Sequence, residues 1–97
     1  MLFRFANGKL ERLYTDEHYT ARFGSNIVKA FRKVIGLIRA ANDERDLWSM
    51  KSLHYEKLKG NRSHQRSMRL NDQFRLIVEI ERHGDKTVVV ISIEDYH

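Results

Sequence analysis

The sequence predicts an α+β fold in which helices come first and a small, mainly antiparallel sheet follows. Two observations carry this. Apolar residues recur at a helical period between Ile27 and Ala41, and from about Leu53 the period changes to two. Turn chemistry at Asn71-Asp72 and at His83-Gly84-Asp85 then divides the second half into neighbouring strands, as in a meander.

Leu2 to Phe5 reads as a short strand ended by the Asn7-Gly8 turn signal, and Lys9 to Tyr14 as a short helix with Leu10, Leu13 and Tyr14 on one side. Asp16 to Ser25 is polar and has no clear period. The strongest helix follows, with Ile27, Phe31, Val34, Ile38 and Ala41 spaced by four, three, four and three, and Lys29, Arg32, Lys33 and Arg39 on the opposite face. Ser25 is the expected N-cap, its hydroxyl accepting from a first-turn amide. Asn42 is expected to end this helix and start another. Asp43 and Glu44 suit the positive end of that second helix, and Leu47 and Trp48 anchor it to the core. Leu53 to Leu58 reads as a weak strand and Gln65 to Leu70 as a better one. In the next, Phe74, Leu76, Val78 and Ile80 point one way and Arg75, Ile77, Glu79 and Glu81 the other. Thr87 to Ile93 is apolar on both faces, which predicts a central strand covered on each side.

Ninety-seven residues with no proline, repeat or linker predict one domain over 1–97. The longest aliphatic run, Val88 to Ile91, falls far short of the ~20 residues of a membrane span, and Met1 to Phe5 does not read as a signal peptide. Absence of cysteine excludes disulfides, thiol catalysis and zinc-thiolate sites, and makes a reducing cytoplasm the simplest expected home. The formal charge is +5, and its whole excess lies in one stretch. Between Lys51 and Arg75 there are seven basic and two acidic residues, and elsewhere the two signs balance. Such a run is either a solvated face or a patch that tracks phosphates.

Five histidines occur without His-x-x-His or His-Glu-x-x-His spacing, so no metal site is expected. Nothing marks a nucleophile elbow or a P-loop. The end of the chain carries more. Asp95 and His97 are two apart at the end of a strand, so alternation places them on one face with Tyr96 on the other. A carboxylate beside an imidazole exchanges protons near neutral pH. With Arg75 on the neighbouring strand and Lys59 nearby, these groups suit cleavage of a phosphodiester by the adjacent 2′-hydroxyl. That reaction needs a base, an acid and cations for the phosphorane, with neither metal nor other cofactor. A frayed, inert tail is the plain alternative.

Leu58-Lys59-Gly60-Asn61-Arg62, Ser67 to Leu76 and the terminal Glu94-Asp95-Tyr96-His97 resemble the HigB-type toxins of the RelE superfamily. There the pattern reads roughly Leu-x-Gly-x-Arg, a strand running Arg-x-Asn-x-x-Trp-Arg-Ile, and a C-terminal Asp-Tyr-His; Phe74 stands where Trp is common. The resemblance runs along essentially the whole chain and implies a RelE-like, microbial-RNase-like fold. It implies a ribosome-dependent endoribonuclease that cuts mRNA and stops growth, neutralised by a helix-turn-helix antitoxin, with operator DNA bound only through that complex. By position it assigns the active site to Arg75, Asp95, Tyr96 and His97, with Lys59 at the same cleft. His54 is the further candidate. It lies four residues before Leu58 where two is the expected spacing, so a one-pleat bulge must restore it or Glu56 takes its place. Lys57, Lys59, Arg62, Arg66 and Arg69 are the expected RNA-binding residues. A basic domain that binds RNA or a ribosomal surface without cutting it, and a pure protein-interaction module, remain as other readings.

Overall fold

In the computed structural model, which describes residues 1–96, three helices pack on one face of a five-stranded mixed sheet. The strands are β1 (Leu2–Phe5), β2 (Glu56–Lys57), β3 (Gln65–Arg69), β4 (Phe74–His83) and β5 (Asp85–Asp95), in the spatial order β1-β5-β4-β3-β2. β1 runs parallel to β5, and the other three pairings are antiparallel. His97 lies outside the described residues.

The helices are α1 (Gly8–Thr15), α2 (Ser25–Ala40) and α3 (Glu44–Ser49). Asn7-Gly8 opens a helix instead of closing a strand turn, because Asn7 Oδ1 accepts from Leu10 N (3.0 Å) and caps α1. Ser25 is already helical, and Gly24 precedes it without a side-chain cap. Asp43, not Asn42, caps α3, its carboxylate accepting from Arg45 N at 2.9 Å. The apolar stripe of α2 behaves as its spacing demands. Ile27, Phe31, Val34, Ile35 and Ile38 are buried against Leu10 and Leu13 of α1 and against Met68, Leu76, Val78, Val88 and Val90 of the sheet. Burying each such side chain contributes about 1.5–3 kcal/mol. Phe5 and Phe31 extend this core, with ring centroids 6.3 Å apart. Phe74 meets Phe23 edge-on at 6.3 Å, so the smaller ring at the usual Trp position is packed.

Three expectations fail here. Arg32 leaves the exposed face of α2 and donates to the carbonyls of Leu13 (3.1 Å), Asp16 (3.0 Å) and Tyr19 (3.4 Å), pinning the loop after α1. Trp48 is 50% exposed and meets Tyr55 edge-on at 4.5 Å, while Leu47 alone anchors α3 in the core. The second face of β5 is not covered by helices. Val89 is buried there between its register partners Arg4 and Glu79, beside the Arg4–Glu81 ion pair (2.6 Å).

The sheet's register holds the feature that governs the site. Ile80 lies opposite Val88 and Val78 opposite Val90, but Ile77 lies opposite Ser92, so Ile91 is an extra residue in β5. This β-bulge reverses which side chains of the last five positions face the helices.

Candidate active site

On the sheet face away from the helices, a cleft of about 200 Å³ lies between the end of β5, the middle of β3 and β4, and the loop before β3. Ser67 and Ile77, cross-strand partners and both buried, form its floor. Arg62, Arg75, Glu94 and Tyr96 line it, and Leu58 and Asp95 border it.

Arg75 is placed by the β3–β4 turn. Asn71 Oδ1 accepts from Gln73 N (2.8 Å) and Phe74 N (2.7 Å), an Asx turn that fixes the start of β4. The Arg75 guanidinium folds back, Nη1 donating to Asn71 O (2.5 Å) and Phe74 O (3.2 Å), and sits 4.2 Å over the Tyr96 ring. That cation–π contact helps hold the guanidinium over the ring. Among the described residues no hydrogen bond occupies its Nε or Nη2. Tyr96 is 55% exposed, and its amide donates to Gln73 O at 2.6 Å.

The bulge at Ile91 decides which of the terminal residues face Arg75. Asp95 and Tyr96 alternate as expected, and Glu94 is the register partner of Arg75 while Asp95 is that of Phe74. Glu94 and Tyr96 therefore share the cleft with Arg75. Asp95 borders it from the other side of the strand, accepting from Gln73 Nε2 at 3.1 Å. The predicted pairing of Asp95 with His97 falls on a residue outside the described set.

The basic segment is divided by the fold. Arg62, delivered by the 3₁₀ turn Gly60–Arg62, points into the cleft, where Nη1 and Nη2 grip Glu94 at 2.9 and 2.8 Å and Nε donates to Gln65 Oε1 at 2.8 Å. Gly60 makes the turn with φ of +66°, a left-handed conformation that a side chain would strain. The Arg62 hydrogen bonds hold the Glu94 carboxyl below the ordinary range. Arg66, expected to bind RNA, instead faces the helix side. It pairs with Glu44 at 3.8 Å with only 15% of its side chain exposed. Glu44 is buried and also accepts from Tyr55 Oη (3.0 Å) and Lys86 Nζ (3.2 Å). Burial, and then the Glu44 charge, raise the Tyr55 pKa, so its phenol stays protonated as the donor. Arg69, opposite Arg75 in register, is ion-paired with Asp72. Lys57 and Lys59 are exposed and do not line the cleft.

His54 does not reach the cleft lining either. Leu53 to Leu58 is a strand only at Glu56–Lys57. The preceding residues form a 3₁₀ turn (Lys51–Leu53), and His54 is left-handed at φ of 46°. No pleat bulge restores its spacing. Glu56 shares the cleft face through its register partner Ser67. Sequence reasoning set no role for Glu94, and the signal was present in Ile91-Ser92-Ile93, where continued alternation from Val88 and Val90 would bury serine and expose isoleucine.

Among the described residues no group of three His, Asp or Glu is placed to hold a metal ion, and no helix is long and apolar enough to cross a membrane. A wider open hollow of about 620 Å³, lined by Lys9, Arg12, His18 and Tyr19 among others, contains none of the predicted site residues.

Residues 3–97 match the model of the HigB-like toxins, described as RelE-like toxins of type II toxin–antitoxin system HigB. The fold is similar to that of a YoeB/ParE toxin from Agrobacterium tumefaciens, with a TM-score of 0.65 at 18% identity over 100% of both chains. No curated protein matches the sequence.

Proposed function

The chain belongs to the HigB-like family of RelE-like toxins from type II toxin–antitoxin systems, and we propose that it is a ribosome-dependent endoribonuclease that cleaves mRNA and so inhibits translation. Family membership implies an antitoxin partner. A helix-turn-helix antitoxin, with operator DNA reached only through the complex, is the form proposed for it, and the cytoplasm is the proposed compartment.

The observation that supports the reading is Arg75. It is a guanidinium held over the Tyr96 ring at the mouth of a cleft, with Nε and Nη2 unoccupied among the described residues. In the proposed step the ribose 2′-oxygen attacks the adjacent phosphorus and the 5′-oxygen leaves, giving a 2′,3′-cyclic phosphate and a 5′-hydroxyl. The proton of the 2′-hydroxyl passes to a base, and an acid protonates the leaving oxygen. Arg75 donates to the phosphorane oxygens as their charge grows, which is where a preorganised donor lowers the barrier. Tyr96, already stacked on Arg75, orients the scissile nucleotide through its exposed ring. His97 transfers the proton to the leaving oxygen, and Asp95 orients it or shares the base role. Lys57 and Lys59, exposed beyond the cleft, contact flanking phosphates.

Primer extension on translated mRNA tests this with the parent, a His97-deleted chain and a C-terminally extended chain, each checked by thermal melting. Deletion is expected to abolish cleavage with little change in melting, and extension to impair it. Undiminished cleavage by the folded deletion variant removes His97 from the mechanism. Parental binding to ribosomes without any cleavage moves the protein to a non-catalytic RNA-binding role.

A further inference from the structure

Glu94 and Arg75 are direct cross-strand partners on one sheet face, yet they are not paired with each other. Side chains so placed have Cβ atoms ~4.5–5.5 Å apart, and opposite charges there normally join. Two features prevent it. Arg62 meets both carboxylate oxygens in a two-pronged grip at 2.9 and 2.8 Å, and Ser92 Oγ donates to the same carboxylate at 2.9 Å. Arg62 is itself steadied by Gln65, whose Nε2 donates to Glu79 at 3.1 Å. Arg75, meanwhile, is turned onto Tyr96 and the turn carbonyls.

We propose that Arg62 is a positioning residue that holds Glu94 away from Arg75 and so keeps the Arg75 guanidinium open to the substrate phosphate. The placement of Arg62 in a basic run and in a cleft suggests a phosphate ligand, but its committed donors argue otherwise. To take a phosphate in place of Glu94 it must release a carboxylate directly beside Arg75. That carboxylate would then compete with the phosphate for the catalytic cation. The fork geometry of a guanidinium suits this task, since it satisfies both oxygens at once. The consequence for activity rests on the nuclease reading. The rearrangement itself does not.

The experiment compares the parent, Arg62→Gln, Arg62→Lys and the double variant Arg62→Gln/Glu94→Gln, all as full chains with thermal melts. Carbon-detected titration of the Glu94 carboxyl and nitrogen spectra of the arginine Nε–H groups report the pairing. In Arg62→Gln, Glu94 is expected to keep titrating below the ordinary glutamate range because Arg75 takes it over, and the Arg75 signal shifts. Primer extension should then fall by about tenfold or more, within the range for loss of a transition-state donor. The double variant should recover most of that loss and return the Arg75 signal to its parental position. It has the parent's net charge, so recovery is not a bulk-charge effect. Arg62→Lys should fall between, holding one oxygen. Lys29→Gln, exposed on α2, controls for loss of one positive charge and should retain parental cleavage.

Glu94 returning to ordinary titration in Arg62→Gln, with the Arg75 signal unmoved, overturns the proposal. So does a folded double variant as inactive as Arg62→Gln, which would make Arg62 a direct contact of the RNA. If the parent cleaves nothing, the nuclease reading fails and the spectroscopic arm alone decides whether Glu94 moves to Arg75.

Discussion

Replacing Arg75 by alanine separates chemistry from folding at the cleft. The side chain makes a cation–π contact at 4.2 Å and two hydrogen bonds to carbonyls of its own turn. A partly exposed cation–π pair contributes ~0.5–1 kcal/mol. The freed carbonyls of a half-exposed turn regain water, so the hydrogen bonds add no more than about 1 kcal/mol net. The expected destabilisation is therefore about 1–2 kcal/mol, or roughly 5–15 °C in Tm for a chain of this length. Against the ~5–15 kcal/mol by which such domains are stable, the variant remains folded.

The kinetic effect should be far larger. Losing a donor aimed at developing charge lowers the rate by about a hundred- to thousandfold. Single-turnover primer extension on translated mRNA measures it, with growth arrest as the cellular readout and circular dichroism melts as the folding control. Arg75→Lys keeps the charge but loses the planar face that stacks on Tyr96, so it should recover only part of the rate. A folded Arg75→Ala chain that cleaves at the parental rate would refute the assignment outright. Loss of activity together with loss of the melting transition would assign the residue to the turn.

Other expectations follow from the same geometry. Lys57→Gln with Lys59→Gln should flatten the salt dependence of ribosome or RNA association by up to about 0.7–0.9 in logarithmic slope per lost contact, measured by titration at several salt concentrations. Arg66→Gln should leave that slope unchanged and cost about 1–2 kcal/mol in urea denaturation, less than the ~3–5 of a fully buried broken pair because Lys86 and Tyr55 still hold Glu44. The carboxyls of Glu94, Glu81 and Asp43 are lowered by hydrogen bonds from Arg62, Arg4 and Arg45, and that of Asp16 by the His18 amide. Depressed folded values add stability above the unfolded carboxylate range and lose it below. Urea midpoints should therefore hold from pH 7 to about 5, then decline as pH falls through and below about 4. High salt should shrink that decline, since these pairs are exposed.

What could be read in the sequence was what periodicity encodes. The α2 stripe, the apolar face of β4 and the two tight turns each depend on local spacing, and they stand where spacing put them. What could not be read depends on partners distant in sequence. Lys29, Arg32, Lys33 and Arg39 look alike on a helical wheel, and only the return of the Asp16–Tyr19 loop selects Arg32 as its carbonyl cap. Likewise Arg62 and Arg66 sit in one basic run. The strand puts Arg66 on the helix side beside a buried glutamate, and the 3₁₀ turn swings Arg62 into the cleft. Charge density told of neither, because alternation sends neighbouring cations to opposite faces.

The bulge is the deeper lesson, because it ties the core to the site. Were Ile91 paired in the ladder instead of bulged, the register that pairs Val78 with Val90 would continue to set Phe74 opposite Glu94, leaving Asp95 on the Arg75 face. It would also bury Ser92 and turn Ile93 outward. Setting Ile91 aside as a bulge restores Ile93 to the core side, where it packs against the main cluster, and turns Ser92 and Glu94, joined by a hydrogen bond, to the cleft side. The preference for burying isoleucine over serine, on the order of 1–2 kcal/mol or more from apolar area and lost hydration, is thus coupled to the choice of acidic neighbour for Arg75. Exchanging the two residues after the bulge (Ser92→Ile with Ile93→Ser) removes that preference, because the unbulged register then buries isoleucine and exposes serine. It should set Glu94 opposite Phe74, bring Asp95 beside the Arg75 guanidinium and leave Arg62 without its carboxylate. Deleting Ile91, by contrast, removes the bulge but keeps Ser92 opposite Ile77 and Glu94 opposite Arg75, so it should spare the cleft. Cleavage should therefore fall in the exchange variant and survive in the deletion variant, read by primer extension with urea melts on the same samples. Parental activity in a stably folded exchange variant would mean that the register of β5 does not govern the cleft.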